Sequence, residues 1–201
     1  MKLKDTYLTI EKEVQGLFKE KGSKFMAYAF PVSTEEEVKS HIQELKKEHH
    51  NARHHCYAYR LGASGENYRA NDDGEPSGTA GRPIHGQLLS NELTNILVVV
   101  VRYFGGTLLG VSGLINAYKN ATIDVINNAL IIEKIIEKHY RLEFDYPLQN
   151  SIMRVLKEQQ IEVVHAKYEI NCLLQIAVRL TIEKETIDKL EGIEGLKIEE
   201  F

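Results

Sequence analysis

The first part of the chain is organised around Val98-Val-Val-Val-Arg-Tyr-Phe-Gly-Gly-Thr-Leu-Leu-Gly-Val-Ser-Gly113, an apolar run that passes into a glycine-rich turn and then into a helical pattern. No polar residue interrupts Ile96 to Val101, and β-branched side chains dominate it, as is typical of a central strand covered on both faces. Apolar residues at helical spacing follow from about Leu114 to Leu130. We therefore predict a buried strand that delivers backbone amides to the start of a helix.

A polar loop precedes this stretch and reads Asn71-Asp-Asp-Gly-Glu-Pro-Ser-Gly-Thr-Ala-Gly81. It carries three carboxylates within four residues, and these repel one another unless a cation or backbone amides offset their charge. One interpretation is a rigid presentation of Asp73, Glu75 and Ser77 toward a ligand or partner. The other is a tight turn whose acids, Asp72 included, cap neighbouring amides. The residues alone leave both interpretations open.

Arg102 stands where the predicted strand leaves the core, and an arginine there needs a partner. That partner is either a loop carboxylate, such as Asp73 or Glu75, or an external anion. The turn that follows brings backbone amides to a helix start, which is an anion site in principle. Its candidate ligand-binding residues are Gly105, Gly106, Gly110, Ser112 and Gly113. Neither GxxxxGKS nor GxGxxG is present, and glycines also serve close packing.

The elements before and after the loop follow from simple patterns. Ser33-Thr-Glu-Glu36 has the form of a capping box, and the helix that follows ends near Lys47, with Lys46 to His50 as its solvated last turn. Pro83 begins a short helix from Arg82 to Leu89. Strands are predicted at Thr6–Ile10, Val14–Phe18 and Phe25–Val32.

The string His54-His-Cys-Tyr-Ala-Tyr59 reads as a strand, in which alternation sends His55 to one face and His54 and Cys56 to the other. A metal hydrolase would combine His55 with His85 and the loop acids, but no fixed spacing supports it. A packed or hydrogen-bonded histidine is the favoured interpretation. We expect no metal ion and no cofactor. A metal site at His55 alone would draw its other ligands from Asp72, Asp73 and Glu75.

The composition is that of a globular protein, with 43% hydrophobic and 27% charged residues in a chain of 201. The formal net charge is -4, and residues 139–201 hold the acidic excess, so any anion site must be local rather than a basic face. Two cysteines form neither a disulfide framework nor a zinc pattern. The sequence shows no signal peptide or membrane span, and we expect a cytoplasmic protein.

A charged connector, Glu133 to Lys138, separates two predicted domains, residues 1–134 and 135–201. The second follows the order βαββαβ, which is ferredoxin-like, so the whole is an α+β protein of two domains. This fold names no function. Its strands are predicted at His139–Tyr146, Glu162–Ile170, Leu173–Ile182 and Leu196–Phe201, and its helices at Asn150–Gln159 and Glu185–Leu190.

Three strings together resemble the YigZ/IMPACT family: His54-His-Cys-Tyr-Ala-Tyr59, Asp72 to Pro83, and Arg102-Tyr-Phe-Gly-Gly106. The resemblance covers essentially the whole chain, the last third by arrangement more than by wording. It implies an N-terminal α/β domain with the fold also found in a small-subunit ribosomal protein, elongation factor G and the GHMP kinases. It also implies a C-terminal domain similar to a ferredoxin-like domain of elongation factor G.

The resemblance further implies a translation-linked, non-enzymatic binding role without agreed catalytic residues. Eukaryotic relatives with the same N-terminal domain restrain the kinase that phosphorylates a translation initiation factor, by binding its activator protein. Two departures weaken a nucleic-acid function, because phosphate affinity rests on cations. Leu108 stands where the family usually has a lysine, and Asn116 where it has an arginine.

We therefore expect a binding or regulatory protein of translation, whose partner is RNA, the ribosome or a translation-associated protein. The site is predicted as a cleft between the polar loop and the glycine turn. Its expected residues are His55, Asp72, Asp73, Glu75, Ser77, Arg102, Gly105, Gly106, Gly110, Ser112 and Gly113. The alternative is an enzyme acting on a phosphorylated small molecule, with Asp73 or Glu75 as base or magnesium ligand and the amides of Gly110–Gly113 holding phosphate.

Overall fold

The computed structural model of the chain describes residues 5–169 and 171–201. The chain divides into two compact units, one of Tyr7–Lys134 and one of Ile135–Phe201 with the described residues before Tyr7. Residues 1–4, predicted to lack a signal peptide pattern, and Ile170, the predicted end of a strand, lie outside the described residues. Within the described residues, no helix has both the length and the apolarity that a bilayer crossing requires.

The first unit is built on a five-stranded antiparallel sheet with the order β2-β3-β6-β4-β5. The apolar run of the sequence is its central strand, because β6 pairs with β3 on one side and β4 on the other. The strands are β2 (Val14–Glu20), β3 (Ser23–Pro31), β4 (His54–Leu61), β5 (Asn67–Asn71) and β6 (Ile96–Tyr103).

Strand β6 is covered on both faces, as its unbroken apolar sequence predicted. Ile96, Val98 and Val100 belong to one core cluster, which includes residues of α2 (Gly81–Ser90) and α3 (Gly110–Asn127). The alternate residues Leu97, Val99 and Val101 belong to a second cluster with α1 (Glu35–Glu48). The sheet therefore lies between two helices on one side and one on the other.

The start of α1 corrects one sequence prediction. Thr34, not Ser33, is the N-cap, and its side chain accepts a hydrogen bond from the Glu37 amide while the Glu37 carboxylate accepts from the Thr34 amide. The capping box is thus shifted by one residue. The Ser33 amide also donates to Glu37, at 2.6 Å, so the shifted register satisfies an additional amide.

The start of α3 is a second correction, because the helix begins at Gly110 rather than near Leu114. The residues predicted to form a loop before the helix, Gly110 to Gly113, are its first turn. The expected buried stripe of Leu114, Tyr118, Ala121 and Val125 is present. Glycine is a weak helix former, which is why the sequence pattern placed the start too late.

The predicted charged connector is a third correction. Its first residues belong to β7 (Ile131–Ile135), which pairs with β1 (Thr6–Ile10) in a two-stranded sheet. Glu137 already begins β8. Strand β1 supplies a backbone partner from the far end of the chain, and no local sequence pattern reveals such a pairing.

The second unit follows the order βαββαβ around an antiparallel sheet with the strand order β11-β8-β10-β9. A short 3-10 helix, Tyr146–Leu148, precedes its first α-helix. Inward residues of β8 and β10 such as Leu142 and Ile176 form its core with Ile152 and Leu156. The elements are β8 (Glu137–Asp145), α4 (Gln149–Glu158), β9 (Val163–Lys167), β10 (Asn171–Arg179), α5 (Glu183–Glu191) and β11 (Lys197–Glu200).

Candidate functional site

The Asp72 carboxylate caps the start of α2 from within the polar loop. Its Oδ1 accepts hydrogen bonds from the amides of Ala80 and Gly81 at 2.9 and 2.8 Å, and its Oδ2 accepts from the Gly78 amide at 2.8 Å. Helix α2 has no side-chain cap of its own at Ala80. A carboxylate there also meets the positive end of the helix dipole. For Asp72 the structure therefore shows the amide-capping role.

Asp73 ties the loop to the sheet and to α1. Its Oδ2 accepts from the His55 backbone amide at 2.7 Å, and its Oδ1 lies 3.2 Å from the Lys46 Nζ. Its backbone carbonyl accepts from the His54 Nδ1 at 2.9 Å. Lys46 is thus an ion-pair partner of the loop, beyond the solvated role predicted for it.

Glu75 is the residue of the loop that reaches the central strand. Its Oε1 lies 2.6 Å from the Arg102 Nη1 and accepts a hydrogen bond from the Tyr118 hydroxyl at 2.9 Å. The two side chains of the ion pair are only 4% and 7% exposed. The prediction that Arg102 takes a loop carboxylate as its partner is confirmed for Glu75.

The Arg102 guanidinium also lies between two aromatic rings. Its central carbon is 5.5 Å from the centre of the Phe25 ring and 5.6 Å from that of Phe104, which is cation–π distance. The Arg102 Nε is buried and has no hydrogen-bond partner among the described residues. The described part of the chain therefore leaves one donor of this arginine unpaired.

Behind Glu75 lies a buried thiol and hydroxyl pair. The Cys56 thiol donates to the Tyr118 hydroxyl at 3.2 Å and approaches the Asp72 carbonyl at 2.9 Å. Burial raises the pKa of both the Cys56 thiol and the Tyr118 hydroxyl far above their ordinary values. Both groups therefore keep their protons at neutral pH, and Cys56 is not an activated nucleophile.

The histidines occupy packed positions. Burial lowers the pKa of His55 below its ordinary value, although the nearby Asp73 carboxylate opposes the shift. His85 stacks on Tyr68 with ring centres 4.7 Å apart, and burial lowers its pKa too. His49, predicted to be solvated, is buried and lies 2.7 Å from the Tyr28 hydroxyl and 2.9 Å from the Tyr103 hydroxyl. Among the described residues, no group of histidine, cysteine and acidic side chains is arranged to hold a metal ion.

A groove of about 820 Å³ opens beside this network, and we call it the Arg102 groove. Three of the predicted site residues line it, namely Glu75, Arg102 and Gly110. The lining also contains residues outside the predicted site: Asn51, Arg53, His54, Pro76, Tyr103, Phe104, Leu108, Leu109, Val111 and Leu114. The other predicted residues are not in the lining: His55, Asp72, Asp73, Ser77, Gly105, Gly106, Ser112 and Gly113.

One signal could have found part of the missing lining. Strand β4 pairs with β6 so that His54 lies opposite Arg102. Both strands have polar residues at the same edge of the sheet. This pattern could have predicted the pairing, and the pairing would have placed Arg53 and His54 beside Arg102. Leu108 was noted in the sequence only as a replacement of a family lysine, and Val111 carries no sequence signal of its own.

The first turn of α3 lies at the groove without a side-chain cap. Its first amides have no intrahelical partners, as at any helix start, and they carry the positive end of the helix dipole. Gly110 has a φ of +71°, a backbone conformation that favours glycine. Glycine is thus the residue type that enters the helix at this point with the least backbone strain.

Gly105 serves close packing instead. A Cβ at this position would lie 1.9 Å from the backbone of Gly22, and the Gly105 amide donates to the Ser23 hydroxyl at 3.1 Å. The glycine turn therefore packs closely against the turn before β3. For Gly105, the packing interpretation accounts for the residue type without a ligand.

The chain is thus a two-unit α+β protein with a groove in its first unit. Residues 21–126 match the Impact N-terminal domain, which is more than half of the chain. The chain therefore belongs to the IMPACT family, as its three strings indicated.

Two relatives and one solved structure extend this match. The chain is 36% identical to the IMPACT family member YvyE of Bacillus subtilis, over 90% of this chain and 82% of YvyE. It is 32% identical to the IMPACT family member YigZ of Escherichia coli, over 79% of this chain and 78% of YigZ. It is also similar to a crystal structure described as that of an hypothetical protein, with a TM-score of 0.73 and 30% identity over 98% of this chain and 97% of that chain.

Proposed function

We propose that this chain is a non-enzymatic binding protein linked to translation, and that the Arg102 groove takes an anionic group of RNA, the ribosome or a translation-associated protein. The observation that carries the non-enzymatic part of the proposal is the engagement of all three loop carboxylates by the chain itself. Asp72 is held by three amides, Asp73 by an amide and Lys46, and Glu75 by Arg102 and Tyr118. The loop is then a fixed wall of the groove.

The same contacts argue against a catalytic base or a magnesium site in the loop. A general base needs a free lone pair near its substrate, and Mg²⁺ needs several oxygen ligands in near-octahedral geometry. Replacing the present partners of Glu75 would leave the buried Arg102 unpaired, which is costly, whereas the half-exposed Lys46 would lose little without Asp73. The cost at Glu75 supports the non-enzymatic role.

A second candidate function rests on the uncapped first turn of α3. Its amides adjoin a groove whose volume, about 820 Å³, falls in the range of small-molecule sites. An enzyme acting on a phosphorylated small molecule would place the phosphate at Gly110. The nucleophile and base of such a reaction have no free candidate among Cys56, Tyr118 and the loop acids.

We also infer that the second unit is a ferredoxin-like domain, because its element order is βαββαβ and its strands follow the order 4-1-3-2 within the unit. We further propose that the first unit has the fold found in the ribosomal protein, elongation factor G and the GHMP kinases. The domain boundary between residues 134 and 135 and the cytoplasmic location also remain proposals.

Sedimentation of the purified chain with ribosomes and with bulk transfer RNA, over a series of salt concentrations, tests the proposal. Binding to either that survives moderate salt is the expected result. Binding that disappears with salt would reflect only nonspecific charge attraction. If neither is bound, a thermal-shift screen of phosphorylated metabolites tests the enzyme instead, and a metabolite that raises the melting temperature would favour it.

A further inference from the structure

The Arg102 groove has an apolar wall. Phe104, Leu108 and Val111 line it, and their exposed fractions are 57%, 84% and 60%. Single exposed apolar residues are ordinary on protein surfaces, but several that line one concave site mark an interaction surface. Leu108 in particular is almost fully exposed and packs on little of its own chain.

The positive charge of the groove is small and local. The ion pair of Arg102 with Glu75 is internally neutral, so Arg53 is the uncompensated charged side chain among the described residues of the lining. The uncapped first turn of α3 adds the partial charge of a helix start. Arg102 also lines the groove; it is more than nine-tenths buried, and its Nε has no hydrogen-bond partner among the described residues. Nucleic-acid affinity rests on many phosphate contacts, whereas this groove offers one or two anion contacts beside an apolar wall.

We propose that the occupant of the Arg102 groove is a segment of a partner protein that carries a carboxylate next to apolar side chains. The inference rests on the proposed function and narrows its partner to a protein. The carboxylate faces Arg53 and the first amides of α3, as in other sites that capture carboxylates with backbone amides. The apolar side chains pack against Phe104, Leu108 and Val111.

Selection of a phage-displayed library of random peptides on the full chain tests this inference. A parallel selection uses Leu108→Ser, which removes an exposed apolar side chain without disturbing the core. We expect wild type to enrich peptides in which aspartate or glutamate adjoins leucine, isoleucine or phenylalanine, and Leu108→Ser to lose them. Peptides without an acidic residue, or equal recovery on both proteins, would overturn the inference.

Affinity measurements on the most enriched peptide separate charge from apolar contact. Fluorescence anisotropy should show weakening by about tenfold or more for Leu108→Ser and for Arg53→Gln, and for the peptide with amides in place of its carboxylates. Leu89→Ser, another exposed apolar residue that lies outside the groove lining, is the matched control and should bind as wild type does. Equal weakening by the control would contradict the assignment to this groove.

A labelled oligouridylate, titrated against the same variants, tests the nucleic-acid alternative. Its binding should be weak and insensitive to Leu108→Ser. Tight binding that Arg53→Gln abolishes would overturn the inference in favour of RNA. The ribosome sedimentation reports on the proposed function separately: if it succeeds while the peptide selection fails, the translation link stands and only the partner chemistry is wrong.

Discussion

Glu75 and Arg102 are 27 residues apart in the sequence, yet the Glu75 Oε1 and the Arg102 Nη1 lie 2.6 Å apart in a nearly solvent-free contact. Tyr118 of α3 donates to the same oxygen. The contact therefore joins the polar loop, the central strand and the helix whose first turn adjoins the groove. The shape of the groove depends on this pair.

We expect Glu75→Gln to destabilise the first unit by about 3 to 5 kcal/mol, because it leaves the buried Arg102 cation without a counter-charge. Chemical denaturation of wild type and variant measures the difference. The surface substitution Glu13→Gln is the control and should change the free energy of unfolding by less than about 0.5 kcal/mol.

The double variant Glu75→Gln with Arg102→Met checks the cause of that loss. Removing both charges should restore part of the lost stability, because the uncompensated cation is gone. If the double variant lost as much unfolding free energy as the two single variants lose together, the two residues would act independently, which would contradict our account.

Asp72→Asn should destabilise the first unit by about 1 to 3 kcal/mol. The amide oxygen of asparagine can replace one carboxylate oxygen, but its NH₂ group cannot accept the remaining hydrogen bond from a backbone amide. Hydrogen exchange should report faster opening at Gly78, Ala80 and Gly81. Asp188→Asn, an exposed position on α5, is the control, and an equal effect there would contradict the capping role of Asp72.

Acidification should destabilise the first unit through His55 and His85. Burial lowers the pKa of both below their ordinary value of 6.5, so the unfolded chain binds more protons than the folded chain as the pH falls past that value. Their contribution to stability is present above about pH 6.5 and is lost progressively toward the lower folded-state pKa.

The variant His55→Phe tests the assignment of this pH dependence. It should flatten the slope of unfolding free energy against pH between about pH 7 and 5.5, whatever its effect on absolute stability. Gln43→Ala, at an exposed position of α1, removes no titrating group and should keep the wild-type slope. An unchanged slope in His55→Phe would show that His55 does not titrate in this range.

Magnesium should not stabilise the chain, because the loop carboxylates are already engaged. The expected melting temperature in magnesium chloride equals that in sodium chloride of the same ionic strength. A rise specific to magnesium, removed by Asp73→Asn, would instead show a divalent site and would favour the enzyme.

The sequence predicted the elements whose pattern is local and repeated. The β-branched run from Ile96 to Val101 indicated a two-faced central strand, and the stripe from Leu114 to Val125 indicated a helix, because both patterns follow from burial. It did not predict which acid pairs with Arg102. That choice depends on how the loop folds back over β4, which places Asp73 against His55 and leaves Glu75 to reach Arg102.

The missed features also have physical causes. The predicted start of helix α3 was too late in the sequence because its first turn contains two glycines, which have a low helix propensity. Strand β7 was taken for a connector because its partner, β1, lies at the other end of the chain. The apolar wall at Leu108 was missed because the sequence marked this leucine only as a missing family lysine, and an exposed leucine has no periodic pattern. Its position in the groove beside Arg102 makes it a candidate contact.

The most direct test of the central claim compares three proteins in ribosome sedimentation at moderate salt. They are wild type, the groove variant Arg53→Gln with Leu108→Ser, and the control Arg69→Gln with Leu89→Ser, which changes the same residue types at exposed positions outside the groove lining. We predict that wild type and control sediment with ribosomes and that the groove variant does not. Circular dichroism verifies that the groove variant is folded. Equal sedimentation of all three proteins would contradict the claim that the Arg102 groove is the binding site.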